Sequence, residues 1–312
     1  MTLKNFGLLL AQLGRDAEAR TELEAAAALP PDDPETKMAL AQVYDRLGEK
    51  TKAQELMQGL TGSAGGDSGQ DIFAAALKDG IDPTQTENDA QQVLYDIGGQ
   101  FDSGEMDRLG PSAFSSMRLV ALSWARIGWA KFLRGDNLAA TQFLTSAWLL
   151  SQSGTVADRM GQVFEKQGQT EKARHMYALA VAAGGSGKQD SQTRLAKLAA
   201  AAVDKDIAQA SAELAQTRTV MLTPITNRSV SARFSLVFDS SPRPERVEFV
   251  DGDESLRGAV EQLREKDFPV RFPDVSSVKI IRRGLLRCGG SGCAVELLPI
   301  DGPPSPGTKP DN

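Results

Sequence analysis

Seven positions near the start of the chain recur at a fixed interval, and this recurrence constrains the fold more than any other feature. Phe6, Gly7, Leu10, Leu13, Gly14, Ala19 and Leu23 are answered 34 residues later by Leu40, Ala41, Tyr44, Leu47, Gly48, Ala53 and Met57. A period of this length fits two short helices and their turns, a unit that cannot bury its apolar face alone and must stack on its neighbours. The small residues Gly7 and Ala41 let the two helices of a hairpin approach closely. Gly14 and Gly48 fall where the first helix ends and the backbone must turn, a place that favours glycine. Ala19 and Ala53 are the matching small positions on the second helix, and Pro31 and Pro34 separate the units.

The pattern returns downstream. Trp124, Ile127, Gly128, Gly135, Ala140, Leu144 and Ala147 form a third copy, and Met160, Gly161, Phe164, Gly168, Ala173, Tyr177 and Ala180 a fourth, 33 residues further on. The missing residue is expected to be absorbed in the turn near Ser151–Gly154. Composition marks where the helical part stops. Residues 1–216 hold 37 alanines and 217–312 hold 3, while proline runs 5 against 10. Alanine favours helices because it loses no side-chain entropy there. The chain is therefore expected to be an α-helical solenoid followed by a small α+β domain.

The segments between complete this division. Residues 1–60 hold the first two copies. Residues 61–120 read as a linker (TGSAGGDSGQ at 61–70) followed by inserted amphipathic helices over 71–80 and 87–98. Residues 121–216 hold copies three and four and a long Ala-rich capping helix from Gln192. Residues 224–300 alternate as strands around Phe234–Phe238, Val247–Phe249, Val278–Leu286 and Ala294–Leu298, with one helix through Leu256, Val260 and Leu263. A Pro/Gly tail, 301–312, is expected to be disordered.

The repeat resembles the tetratricopeptide repeat over residues 3–60 and 121–183. The run from Trp124 through Gly161–Gly168 to Tyr177 is similar to the C-terminal half of bacterial multidomain proteins in which a transglutaminase-like domain precedes such repeats. Phe249–Leu256, Phe272–Asp274 and Arg282–Cys288, closing on Cys293, are similar to a TonB C-terminal domain. The transglutaminase-like Cys/His/Asp triad has no counterpart here. The resemblance implies a non-enzymatic scaffold that binds a partner protein or peptide in the groove of its solenoid. The alternative it implies is a non-catalytic accessory half of an envelope transglutaminase- or peptidase-like enzyme. It places the second, fifth, ninth and twelfth residues of each first helix on the concave side. Among these are Met38, Gln42 and Asp45 in the second copy, Trp129 and Phe132 in the third, and Asp158, Gln162 and Glu165 in the fourth. Such a mixture of acidic and apolar residues suits a basic or apolar ligand. Equally, Trp129 and Phe132 can serve as core against the inserted helices.

Other chemistry is disfavoured. A net charge of −6 and a pI near 5.1 argue against binding nucleic acid through phosphate contacts. No run approaches the length of a membrane span. With one histidine, His175, and two cysteines, a His-rich metal site or a Cys/His catalytic pair is not expected, and neither is a cofactor. Cys288 and Cys293 flank Gly289–Gly292, placing them opposite each other as either a hairpin-closing disulfide or two buried thiols, with the redox compartment deciding. Lys279, Arg282, Arg283 and Arg287 read as a solvated face. Gly184–Lys188 lacks the spacing of a phosphate-binding loop and reads as a linker. Met1–Gly14 lacks the features of a secretory signal, so the chain as written is expected in the cytoplasm, or in the envelope if its N-terminus is truncated.

Overall fold

The computed structural model describes residues 3–12, 15–28, 34–49, 51–53, 81–102, 111–185, 187–226, 228–274, 278–290 and 292–300, with isolated positions between 73 and 80. The expected linker at 61–70 and the tail at 301–312 lie outside these residues. The chain divides into two compact units, Met1–Gln70 and Asp71–Asn312.

In the first unit, α1 (Leu3–Gln12) and α2 (Asp16–Ala27) form one hairpin and α3 (Pro34–Arg46) opens the next. Their core is Leu10, Ala19, Leu23, Leu40, Val43, Tyr44 and Ala53, which are mostly the recurring positions. Tyr44 Oη donates to Glu24 (2.7 Å) and Arg46 bridges to Asp16 (2.7 Å), tying α3 to α2 across the core.

The second unit opens with α4 (Pro83–Asp102), which packs along α5 (Pro111–Leu133). Two hairpins follow: α5 with α6 (Asn137–Ser151), and α7 (Gly154–Lys166) with α8 (Thr170–Ala183). The one-residue shortfall between them is taken up by a two-residue connection in which Gln152 adopts φ 52°. The turn glycines Gly48, Gly135 and Gly168 have φ of +79°, +87° and +71°, a region in which other residues are strained.

Small residues on the first helix of each hairpin set how closely the helices approach. A Cβ on Gly7 would lie 2.7 Å from Leu23 Cγ, on Gly128 2.8 Å from Leu144 Cγ, and on Gly161 2.4 Å from the Tyr177 ring. In all three hairpins the contacted side chain lies at the same repeat offset, so the recurrence in sequence is a recurrence of packing. Gly161→Ala is therefore expected to destabilise the second unit by ~1–3 kcal/mol, an overpacking cost. Gly258, with nothing within 4 Å of its added Cβ, is the control. Equal denaturation midpoints for Gly161→Ala and Gly258→Ala would contradict this packing.

The Ala-rich segment after α8 differs from the single helix expected. It forms α9 (Lys188–Ala199), a 3-10 turn at Ala200–Ala202 and α10 (Val203–Gln216). Propensity favours a continuous helix here, but the break lets both α9 and α10 pack against α8. Arg174 on α8 grips Asp206 on α10 through Nε (2.5 Å) and Nη2 (2.8 Å). That hydrogen-bonded ion pair holds the Asp206 carboxyl below its ordinary value of 3.8. Because the folded value is depressed, the pair stabilises the fold above that pH and the contribution is lost as pH falls through the folded value. The stability difference between wild type and Asp206→Asn should therefore be full at neutral pH and close in acid. A difference that persists unchanged in acid would contradict the assignment. His175, on the same helix, is half-exposed with Nε2 3.3 Å from Glu213.

The C-terminal strands form one antiparallel sheet in the order β1-β5-β4-β2-β3, with β1 (Thr219–Leu222), β2 (Val230–Phe238), β3 (Pro244–Gly252), β4 (Ile280–Gly289) and β5 (Gly292–Leu297). The short edge strand β1 was not anticipated. A helical segment with α11 (Arg257–Glu261) buries Leu256, Val260 and Leu263. The middle of β2 is buried on both faces, Phe234, Leu236 and Phe238 on one and Ser235 and Val237 on the other. Gly289 and Gly292 pair in the ladder, so the β4–β5 loop is two residues rather than the four expected, in keeping with the tight turns favoured by hairpins. Cys288 and Cys293 pair across the ladder with Cα atoms 4.1 Å apart and are joined by a disulfide.

The sheet is anchored on α5 and α6. β5 pairs with β4 only as far as Gly284, and beyond it Met117 Sδ of α5 accepts the Ile281 N–H (3.0 Å). Trp124 meets Phe272 edge-on at 6.2 Å, and Gln142 donates to Asp274 (2.7 Å). Arg282 does not join a solvated face; it is buried, with Nη1 donating to Leu150 O (3.1 Å) and Nη2 to Leu298 O (3.0 Å). Burial, with the charge of Arg218 nearby, pushes its guanidinium well below the ordinary value. Of the other three basic residues, Lys279 pairs with Glu245 and Arg287 with Glu296, while Arg283 is partly buried.

Candidate functional site

Three alternate helices, α5, α7 and α9, frame an open groove of about 440 Å³ lined by Phe132, Gln162, Glu165, Lys166, Arg194 and Lys197. Its floor is a network around Asp158. This buried carboxylate accepts Ser191 Oγ (2.8 Å), Gln162 Nε2 (2.8 Å) and Arg194 Nη1 (2.9 and 3.0 Å). A charge removed from water needs such partners, and here they also pin α9 to α7. Glu165 at the rim accepts the Tyr177 hydroxyl at 2.6 Å. Burial, and then this bond, hold the phenol protonated well above its ordinary range.

The predicted concave residues are placed as follows. Phe132, Gln162 and Glu165 line the groove. Asp158 lies beneath it as the buried centre of the network. Trp129 is only 1 % exposed and serves as backing. Its ring stacks on Phe132 with centroids 4.9 Å apart at 27°, and the Arg159 guanidinium lies 4.0 Å from the centre of the same ring. Arg159 in turn donates to Leu77 O. Phe73 and Leu77 are buried in the same core, so this part of the inserted segment packs behind the groove. Glu87 on α4 accepts Lys131 (2.8 Å) and Arg134 from the end of α5. Met38, Gln42 and Asp45 lie on α3, and their side chains fall outside the described residues.

The charge of the groove differs from the acidic and apolar one expected. Asp158 is paired with Arg194 below the surface, which leaves Lys166 and Lys197 at the wall against the one carboxylate of Glu165. Arg194 and Lys197 lie on α9, which by its composition reads as a capping helix and not as a groove wall. The usable signal was the position of α9 as the next first helix, which puts Arg194 and Lys197, one turn apart, on its inner side. Lys166 lies one residue beyond the last position counted on α7. Among the described residues, no group of His, Cys, Asp and Glu is arranged to hold a metal ion, and no helix is long and apolar enough to cross a membrane.

No family model matches the chain, and no curated protein matches it. Among solved structures it is similar to a thermophilic TPR protein of Thermus thermophilus, at 19% identity, covering 63% of this chain and 96% of that one with a TM-score of 0.27. It is similar also to PilF of Pseudomonas aeruginosa, at 19% identity, covering 68% of this chain and 88% of that one with a TM-score of 0.28. The repeat assignment rests on the chain's own hairpins: the shared glycine contacts of α1, α5 and α7, and the turn glycines that follow.

Proposed function

We propose that the chain is a non-enzymatic protein-interaction scaffold, and that the groove between α5, α7 and α9 receives a segment of its partner. One observation carries this reading. The groove is open to solvent, yet two of its three helices, α7 and α9, are locked together underneath by the Asp158–Ser191–Arg194 network, and the Phe132 ring on α5 is backed by Trp129. A rigid concave surface with an aromatic wall and polar groups at fixed positions lowers the ordering cost of binding a peptide. Gln162 donates its amide to Asp158, and its carbonyl oxygen has no donor among the described residues, so it is placed to accept a backbone N–H.

Selection of peptides from a displayed library on the full chain tests this reading. Peptides so selected should lose binding on Phe132→Glu, which places a charge on the aromatic wall, and keep it on Glu171→Arg, a change on the outward side of α8 where Glu171 is 84% exposed. Peptides indifferent to Phe132→Glu would place the interaction elsewhere and overturn the assignment of the groove.

A further inference from the structure

We infer that the segment received by this groove is acidic and carries an apolar side chain, an inference that rests on the groove being the binding site. The argument is one of charge. Of the cations at the wall, Arg194 is committed to Asp158. Lys166 and Lys197 are exposed and have no salt-bridge partner among the described residues. The single carboxylate of the wall, Glu165, is held by the Tyr177 hydroxyl. In a chain of net charge −6 two ammonium groups against one carboxylate are a local reversal of sign, and a concave site with an excess of one sign favours ligands of the other.

Geometry adds the second requirement. Lys166 on α7 and Lys197 on α9 stand on neighbouring helices, while the Phe132 ring, backed by Trp129, forms the α5 wall. A carboxylate near the two ammonium groups and an apolar side chain against Phe132 would both be satisfied by one short extended segment. A basic segment would meet two ammonium groups against the one carboxylate of Glu165, and like charges brought together disfavour the wrong partner.

Fluorescence anisotropy with three labelled peptides, alternating Leu with Glu, Gln or Lys, tests the inference on the full-length chain. The Glu peptide should bind, the Gln peptide about tenfold more weakly and the Lys peptide more weakly still. The double substitution Lys166→Glu with Lys197→Glu changes only exposed positions and should invert that order. Equal binding of the three peptides, no binding of the Glu peptide, or an order unmoved by the double substitution would overturn the acidic ligand. Phe132→Ala, checked for retained helix content, separates the two levels. Where the acidic ligand is overturned and this variant weakens the peptide that does bind, the groove stands with a different ligand; if it changes nothing, the groove assignment fails as well.

Discussion

Truncating Arg282 to alanine is expected to destabilise the second unit by about 3–5 kcal/mol, because the side chain satisfies carbonyls that have no other donor among the described residues. Leu150 is in the last turn of α6, where helical carbonyls lack intrahelical partners. The guanidinium supplies one N–H there and another to Leu298, just beyond β5. It therefore joins the end of a helix to the end of a strand, and its charge complements the negative end of the α6 dipole. Two effects oppose each other at this residue. Burying the cation costs free energy, and among the described residues its Nε finds no acceptor; orphaning the carbonyls and opening a cavity costs more. Arg282→Met separates them, since it fills most of the volume and removes the charge while leaving the carbonyls orphaned. It should fall between wild type and Arg282→Ala. Chemical denaturation of the three proteins checks the order, and hydrogen exchange at β4 should rise in the alanine variant. An alanine variant as stable as wild type would show that the sheet is held to the helices without this residue.

Trp129→Ala should have an effect of similar size, ~3–5 kcal/mol, as expected for removing a fully packed aromatic side chain. Here the loss reaches three neighbours. Phe132 loses its stacked partner, Arg159 loses the ring beneath its guanidinium, and the bond from Arg159 to Leu77 loses its backing. Trp129→Phe keeps a ring in place and removes an indole N–H that has no acceptor among the described residues, so it should cost much less. Peptide binding should follow the same order, because Phe132 depends on this support. If Trp129→Ala abolished binding without lowering stability, the residue would be a contact surface, which its 1 % exposure denies.

Local regularities were legible before any coordinates. The period carried the hairpins because each copy uses the same contact: a small residue on the first helix against a side chain at a constant offset on the second. Those residues lie close in sequence, so spacing alone encodes their meeting. The change from alanine-rich to proline-rich composition marked where helices give way to strands for a similarly local reason.

What only the tertiary structure decided were properties arising between distant segments. Arg282 looks like one of four surface cations in and just before its strand, and it becomes a buried anchor because the end of α6, about 130 residues earlier in the chain, offers carbonyls in need of a donor. The break at Ala200–Ala202 goes against helix propensity, and packing of two short helices on α8 outweighs it. The sign of the groove changed most. Asp158, read as an acidic wall residue, is neutralised by Arg194 from a helix outside the recognised copies, and the same helix brings Lys197 beside Lys166. Charge at a binding surface depends on which carboxylates are already paired, and pairing between helices has no fixed spacing in sequence.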